Sequence, residues 1–173
     1  LLCFQGSGGC QLHGTEHSAV DVAFYFQNPL YKRWYGVELN PATEIQPLIG
    51  SKEGILHVTL AFVNPGEQVL VPNPGYPTYT SLSKILGAEV INYDLKEEDG
   101  WMPDFEALEK MDLSRVKLMW TNYPNMPTGA NATPELYKRL VEFARRKNIV
   151  IVNDNPYSFI LNDKPISILS VPG

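Results

Sequence analysis

Four short stretches of this chain hold residue types whose spacing could do chemistry: "IGSKEGI" at 49–55, "NPGY" at 73–76, "NYPNMPTG" at 122–129 and "NDNPY" at 153–157. In the first, Gly50 and Ser51 stand immediately before a helix start. The first backbone N–H groups of a helix have no intrahelical partner, and with the helix dipole they form an anion site suited to phosphate. Ser51 could add a hydroxyl and Lys52 a charge, although the spacing is not that of a Walker loop. The same residues also read as an ordinary capped helix. Tyr76 follows Pro74-Gly75, a turn that projects the next side chain, so its ring could lie against a planar ligand or pack into the core below. Asp154 ends the apolar run "IVIVN". A carboxylate at the mouth of a buried sheet is costly unless a cation or hydrogen-bond donors meet it, and a protonated ring nitrogen would serve. A helix N-cap is the alternative, which Pro156 and Tyr157 make less natural. The remaining stretch holds two prolines and a glycine, a heavily constrained turn with Met126 at its centre between Asn125 and Pro127.

The elements around these stretches are legible from their periodicity. "VAFYFQNPLYKRWYGV" is aromatic-rich and reads as helical at both ends, interrupted by Pro29, and a helix opens near Lys52. "EQVLVP", "AEVINYDL", "VKLMWT" and "NIVIVND" are short, apolar and β-branched, as buried strands are. Between them stand "NPGYPTYTSLSKILG", a turn feeding a helix that stops at Gly87, and the short helix "MPDFEALEKM". The clearest helix is "TPELYKRLVEFARRKN", with Thr133 as N-cap, Pro134 at the first helical position and Arg145-Arg146-Lys147 at the end where cations suit the dipole. That basic run reads as a solvated helix end. "SILSVPG" starts a further element. Alternating strands and helices predict an α/β fold: a three-layer α/β/α arrangement around a mostly parallel sheet. In open sheets of this kind ligands sit beyond the carboxyl ends of the strands, where the turns named above should converge.

Composition narrows the function classes. With 173 residues, 44% apolar and 19% charged, the chain can bury a real core. A net charge of −5 without a basic stripe argues against nucleic acid as a partner, and no apolar run reaches membrane-spanning length. Cys3 and Cys10 make neither a disulfide framework nor a metal spacing, so a reducing, cytoplasmic setting is expected. Residues 1–20, Gly-rich and without periodicity, are set apart as unassigned: "FQGSGG" looks like the scar of a cleavable tag, and the segment is tag-derived or disordered on this reading. His13 and His17 stand four apart there, but no acidic cluster supports a metal site, and none is expected.

Taken in order, "GSKEGI", "VPNPGYPTY", "GAEV", "NYPNMPTGA" and "NDNPY" resemble the fold-type I pyridoxal-phosphate enzymes, and within them the class I/II aminotransferase family. The turns look most similar to the branch containing LL-diaminopimelate, alanine and aspartate aminotransferases. The resemblance covers residues 21–173 and implies that these form the N-terminal part of the large, cofactor-binding domain. It implies pyridoxal 5′-phosphate as cofactor, small-molecule amino acid and 2-oxo acid substrates, a place in amino acid metabolism, and a homodimer. It also implies roles: Gly50, Ser51 and Lys52 hold the cofactor phosphate, Tyr76 stacks on the pyridine ring, Asp154 pairs with the ring nitrogen, and Tyr157 hydrogen-bonds the ring's phenolic oxygen. A lyase or synthase of the same fold, or a non-catalytic regulatory module built on it, would share these features.

Two departures from the family pattern stand out. The family's turn is usually Asn-Pro-Thr-Gly, and that asparagine also binds the phenolic oxygen; here Met126 holds the position and cannot donate the bond. Asn125 or Asn122 would take over, with Asn125 carried as the candidate ligand, or Tyr157 would act alone. The second departure is the Schiff-base lysine, which in the family lies in a Ser-x-x-Lys turn further beyond the aspartate. Lys164 lacks that context, so the catalytic lysine is expected beyond Gly173 and the chain is read as an incomplete portion, inactive by itself.

Overall fold

The computed structural model describes residues 2–4 (as backbone), 29–160 and 162–172. Its centre is a parallel sheet of five strands: β1 (Leu2–Phe4), β2 (Gln68–Asn73), β3 (Glu89–Asp94), β4 (Val116–Asn122) and β5 (Val150–Asp154), in the order β1-β5-β4-β2-β3. The helices are α1 (Ser51–Phe62), α2 (Pro77–Ile85), α3 (Phe105–Lys110) and α4 (Pro134–Lys147), with short 3-10 turns at Glu97–Asp99 and Ile168–Ser170. The α/β expectation and its parallel sheet are borne out, strand by strand, from β2 to β5.

Why the chain adopts three layers follows from which side chains alternate. On β2, Val69 and Val71 pack with Leu118 and Trp120 of β4 and Val152 of β5, against Ile55 of α1 and Tyr79 of α2. Their neighbours in sequence, Leu70, Met119 and Ile151, point the opposite way and meet Phe105 and Leu108 of α3 and Leu136, Leu140 and Phe143 of α4. A strand's side chains alternate between faces, so continuous apolar strands produce two cores, one under each helical layer. The chain enters β2, turns back through α2 to β3, then crosses through α3 to β4 on the other side of β2. That reversal of direction puts α2 and α4 on opposite faces, as right-handed crossovers require.

Local signals set the helix ends. The Thr133 side chain accepts the Leu136 amide at 3.1 Å, Pro134 occupies the first turn, and Asn148 closes α4 in the left-handed region at φ 55°. At the other end of α4, Arg146 and Lys147 reach Glu109 of α3 at 2.6 and 2.8 Å, so part of the basic run joins two helices rather than only facing water. Exposed pairs of this kind contribute little to stability. Asp104 caps α3 by accepting the amides of Glu106 and Ala107.

Two local features differ from the sequence reading. Leu2–Phe4 lie in the segment set apart as outside the fold, yet they pair in parallel with Val152–Asp154. Pro29 is the first of the described helical residues 29–35, residues 21–28 lying outside the described residues, and "SILS" forms only a 3-10 turn. His13 and His17, and most of the segment they lie in, fall outside the described residues.

Candidate functional site

The carboxyl edge of the sheet is where the singled-out residues gather. A helix that feeds a parallel strand runs against it, so α1, leading into β2, begins at that edge. Gly50 is its N-cap in extended conformation, and no side chain caps the amides of the first turn. A Cβ on Gly50 would meet nothing within 4 Å, so the space before these amides is open. Glu53 reaches back to the Ile49 amide at 2.7 Å, one residue ahead of Gly50. Ser51 is half-buried and Lys52 exposed, and neither hydrogen-bonds to the other singled-out side chains.

After β2 the turn is built by Gly75. A Cβ there would come 2.5 Å from the Pro72 carbonyl oxygen, so only glycine fits this approach. Tyr76 follows as the N-cap of α2, half-buried, its ring edge-on to that of Tyr79 at 5.6 Å between centroids. Tyr79 is fully buried and lies flat on Trp120, 4.9 Å between centroids with 6° between the planes.

The alternation of β5 turns Ile151 and Asn153 toward α4, and Val152 and Asp154 toward α2. Asp154 is 4% exposed. Its Oδ2 accepts the Tyr79 hydroxyl at 2.7 Å, while its Oδ1, also buried, has no hydrogen-bond partner. Burial raises the Asp154 carboxyl above the usual carboxylate range and the Tyr79 hydrogen bond only partly offsets this. The Tyr79 phenol is pushed well above its ordinary value by burial and then by the neighbouring carboxylate. A buried, half-satisfied carboxylate is an expensive group, and a positively charged N–H donor facing Oδ1 would complete it. The segment after Asp154 forms a turn rather than a helix, so the N-cap alternative does not apply.

The turn after β4 is held to β5 by two buried carboxamides. Asn122 Nδ2 donates to the Asp154 carbonyl at 2.7 Å and its Oδ1 accepts the Met126 amide at 2.7 Å. On the other face, Asn153 Oδ1 accepts the Tyr123 amide and the Thr121 hydroxyl, both at 3.1 Å, and its Nδ2 donates to the Tyr123 carbonyl at 3.2 Å. Both ends of the Asn122 carboxamide are therefore engaged in bracing this turn. Asn125 is 3% exposed; its Oδ1 accepts the Thr128 hydroxyl at 2.7 Å and its Nδ2 has no partner. Met126 Sδ accepts from the Tyr157 hydroxyl at 3.6 Å, a weak sulfur contact that leaves the phenol easily recruited by a better acceptor.

The structure thus links Tyr76, Tyr79 and Asp154 in one chain of contacts, and Asp154, Asn122, Met126 and Tyr157 in another. Gly50, Ser51 and Lys52 stand at the same edge without joining either, and Asn125 turns to Thr128. Sequence reasoning missed Tyr79. Its signal was the i, i+3 spacing from Tyr76 across the first turn of α2, which puts both rings on one side of the helix. It also missed Asn153, whose polar side chain inside an apolar strand called for a partner.

Comparison with known proteins adds five findings. The family model described as aminotransferase class I and II matches residues 13–170, and so begins inside the segment set apart in the sequence reading. The LL-diaminopimelate aminotransferase of Dehalococcoides mccartyi is 46% identical over 145 residues, covering 83% of this chain and 37% of that protein. Its namesake from Aquifex aeolicus is 48% identical over 145 residues, covering 83% of this chain and 38% of that protein. Among solved structures, substrate-bound BacF from Bacillus subtilis superposes with a TM-score of 0.80 at 40% identity over 87% of this chain and 38% of its own. An alanine aminotransferase from Pyrococcus furiosus does so with 0.79 at 27% identity, over 87% and 38%. The chain spans a little over a third of the length of the relatives it matches.

Proposed function

The chain belongs to the class I and II aminotransferase family, and from that membership we propose that it binds pyridoxal 5′-phosphate and serves transfer of an amino group between an amino acid and a 2-oxo acid. The observation that carries the reading is the buried Oδ1 of Asp154, which lacks a partner at the mouth of an apolar strand. Asp154 would keep the pyridine nitrogen protonated by accepting its N–H at Oδ1. When bound, the cofactor supplies an electron-withdrawing ring that weakens the bonds at the substrate α-carbon. The uncapped amides at Gly50, Ser51 and Lys52 would hold the phosphate, where backbone donors and the dipole of α1 favour an anion. Tyr76, half-buried beside Tyr79, would lie along the ring. Tyr157 would turn its hydroxyl from the Met126 sulfur to the ring's phenolic oxygen, a far stronger acceptor. The donor left on Asn125 Nδ2 keeps that residue in the proposed site, although its oxygen is engaged with Thr128.

The high identity to proteins named LL-diaminopimelate aminotransferase makes LL-diaminopimelate the substrate to try first. A homodimer in the cytoplasm is part of the same proposal; among the described residues no helix is long and apolar enough to cross a membrane. The test is an amino-transfer assay on the full protein with LL-diaminopimelate, alanine and aspartate as separate donors and a 2-oxo acid as acceptor. Transfer from LL-diaminopimelate at more than ten times the rate from the other two is expected. Elimination or ring-forming products without amino transfer would overturn the reading in favour of another reaction at the same carbon.

A further inference from the structure

One buried contact at the site has a consequence for how the carboxylate is presented. Asp154 has two oxygens in different circumstances: Oδ2 is held by the Tyr79 hydroxyl at 2.7 Å, and Oδ1 is held by nothing. Tyr79 cannot easily move to release Oδ2. Its ring is fully buried, lies flat on Trp120 at 4.9 Å, and is flanked edge-on by Tyr76 at 5.6 Å. Trp120 is itself fully buried in β4, so the stack is anchored to the sheet and not to a loop. The backbone of Asp154 is fixed separately, through its carbonyl, by Asn122 Nδ2 at 2.7 Å.

We propose that Tyr79 is a positioning residue for the site: stacked on Trp120, it clamps Asp154 Oδ2, so that Oδ1 alone faces the cofactor ring nitrogen and the shared proton stays on that nitrogen. The proposal rests on the reading of Asp154 given above. A hydroxyl that donates to a carboxylate withdraws electron density from it and makes it a weaker base. With Tyr79 in place, a ring N–H meeting Oδ1 keeps its proton. Without it, Asp154 becomes the stronger base, and its carboxyl group is free to rotate and offer either oxygen. Tyr76 and Tyr79 thereby divide the work of the first turn of α2, one ring alongside the ligand and the other behind the carboxylate.

The experiment uses the full protein with pyridoxal phosphate labelled with ¹⁵N at the ring nitrogen, in three variants: Tyr79→Phe, Asp154→Asn, and 3,5-difluorotyrosine at position 79. Cofactor Kd and the ring ¹⁵N chemical shift are read for each. Tyr79→Phe is expected to raise Kd about tenfold, the scale of a hydrogen bond to a charged group, and to move the ¹⁵N shift toward that of the unprotonated ring. Difluorotyrosine, a near-isosteric and stronger donor, is expected to move the shift the opposite way with no loss of folding, so the result stands even if Tyr79→Phe folds poorly. A purely structural role for Tyr79 would leave the ¹⁵N shift unmoved in both variants, which would overturn the proposal. Asp154→Asn separates the two claims. If it changes neither Kd nor shift, the reading of Asp154 falls, and the proposal with it; if it changes both while the two position-79 variants do not, the role of Tyr79 alone falls.

Discussion

At the scale of single residues, Asp154 and Met126 set the chemistry of the proposed site. Asp154 is a carboxylate buried with one oxygen unsatisfied, an arrangement that costs the ligand-free fold stability. The sign of its pH dependence follows from the raised carboxyl. The folded state holds the proton more tightly than the unfolded chain, where a carboxyl titrates near about 3.9. Stability from this group is therefore fully present below that value and is lost as pH rises through the folded-state value. Glu67, Glu89, Glu109 and Asp112 are shifted downward and act in the opposite sense, so the comparison must be with Asp154→Asn. In cofactor-free protein, the variant should be at least as stable as wild type at neutral pH, and the advantage should vanish toward pH 3 in urea melts. An advantage that grows on acidification would mean that the carboxylate is stabilised by something other than the ligand. Met126 is the other case: its sulfur receives the Tyr157 hydroxyl where the family pattern usually has an asparagine, so this protein holds the phenol by a weak contact rather than by a competing strong one.

At the scale of elements, the turns at the carboxyl edge do the positioning, and each is braced differently. The turn after β4 is tied to β5 by Asn122 on one face and Asn153 on the other, so Met126 cannot move without breaking buried hydrogen bonds. The turn after β2 requires Gly75. An added Cβ would press on the Pro72 carbonyl oxygen at 2.5 Å and on its Cγ at 2.9 Å, so the backbone must shift and Tyr76 shifts with it. Gly75→Ala should cost about 1–3 kcal/mol, as overpacking does, and should weaken cofactor binding. Denaturant unfolding and a cofactor titration read the two effects; a variant as stable as wild type with unchanged Kd would show that the turn tolerates a side chain. The sequence made these turns conspicuous through their Pro, Gly and Asn content, because backbone constraint requires particular residue types. It could not show which asparagine braces and which remains open. Asn122, Asn125 and Asn153 are alike in type, and only the fold decides which partners each one meets.

At the scale of the whole molecule, the parallel sheet and its two cores were legible because four apolar strands alternate with helices, a pattern only a sheet covered on both faces can bury. β1 was not legible: Leu2–Phe4 are too few for periodicity and stand beside a Gly-rich stretch, and only the pairing with Val152–Asp154 gives them a place. Tyr79 escaped for the reverse reason. An aromatic residue on a buried helical face is ordinary core until the fold brings a carboxylate from 75 positions away against its hydroxyl. On the proposed reading, the edge of this sheet holds pyridoxal phosphate between the start of α1 and the end of β5. A crystal structure of the full protein grown with pyridoxal phosphate tests it most directly. The ring nitrogen is expected within hydrogen-bond distance of Asp154 Oδ1, and the phosphate on the amides at Gly50, Ser51 and Lys52. A cofactor bound elsewhere, or a ring whose nitrogen points away from Asp154, would contradict it.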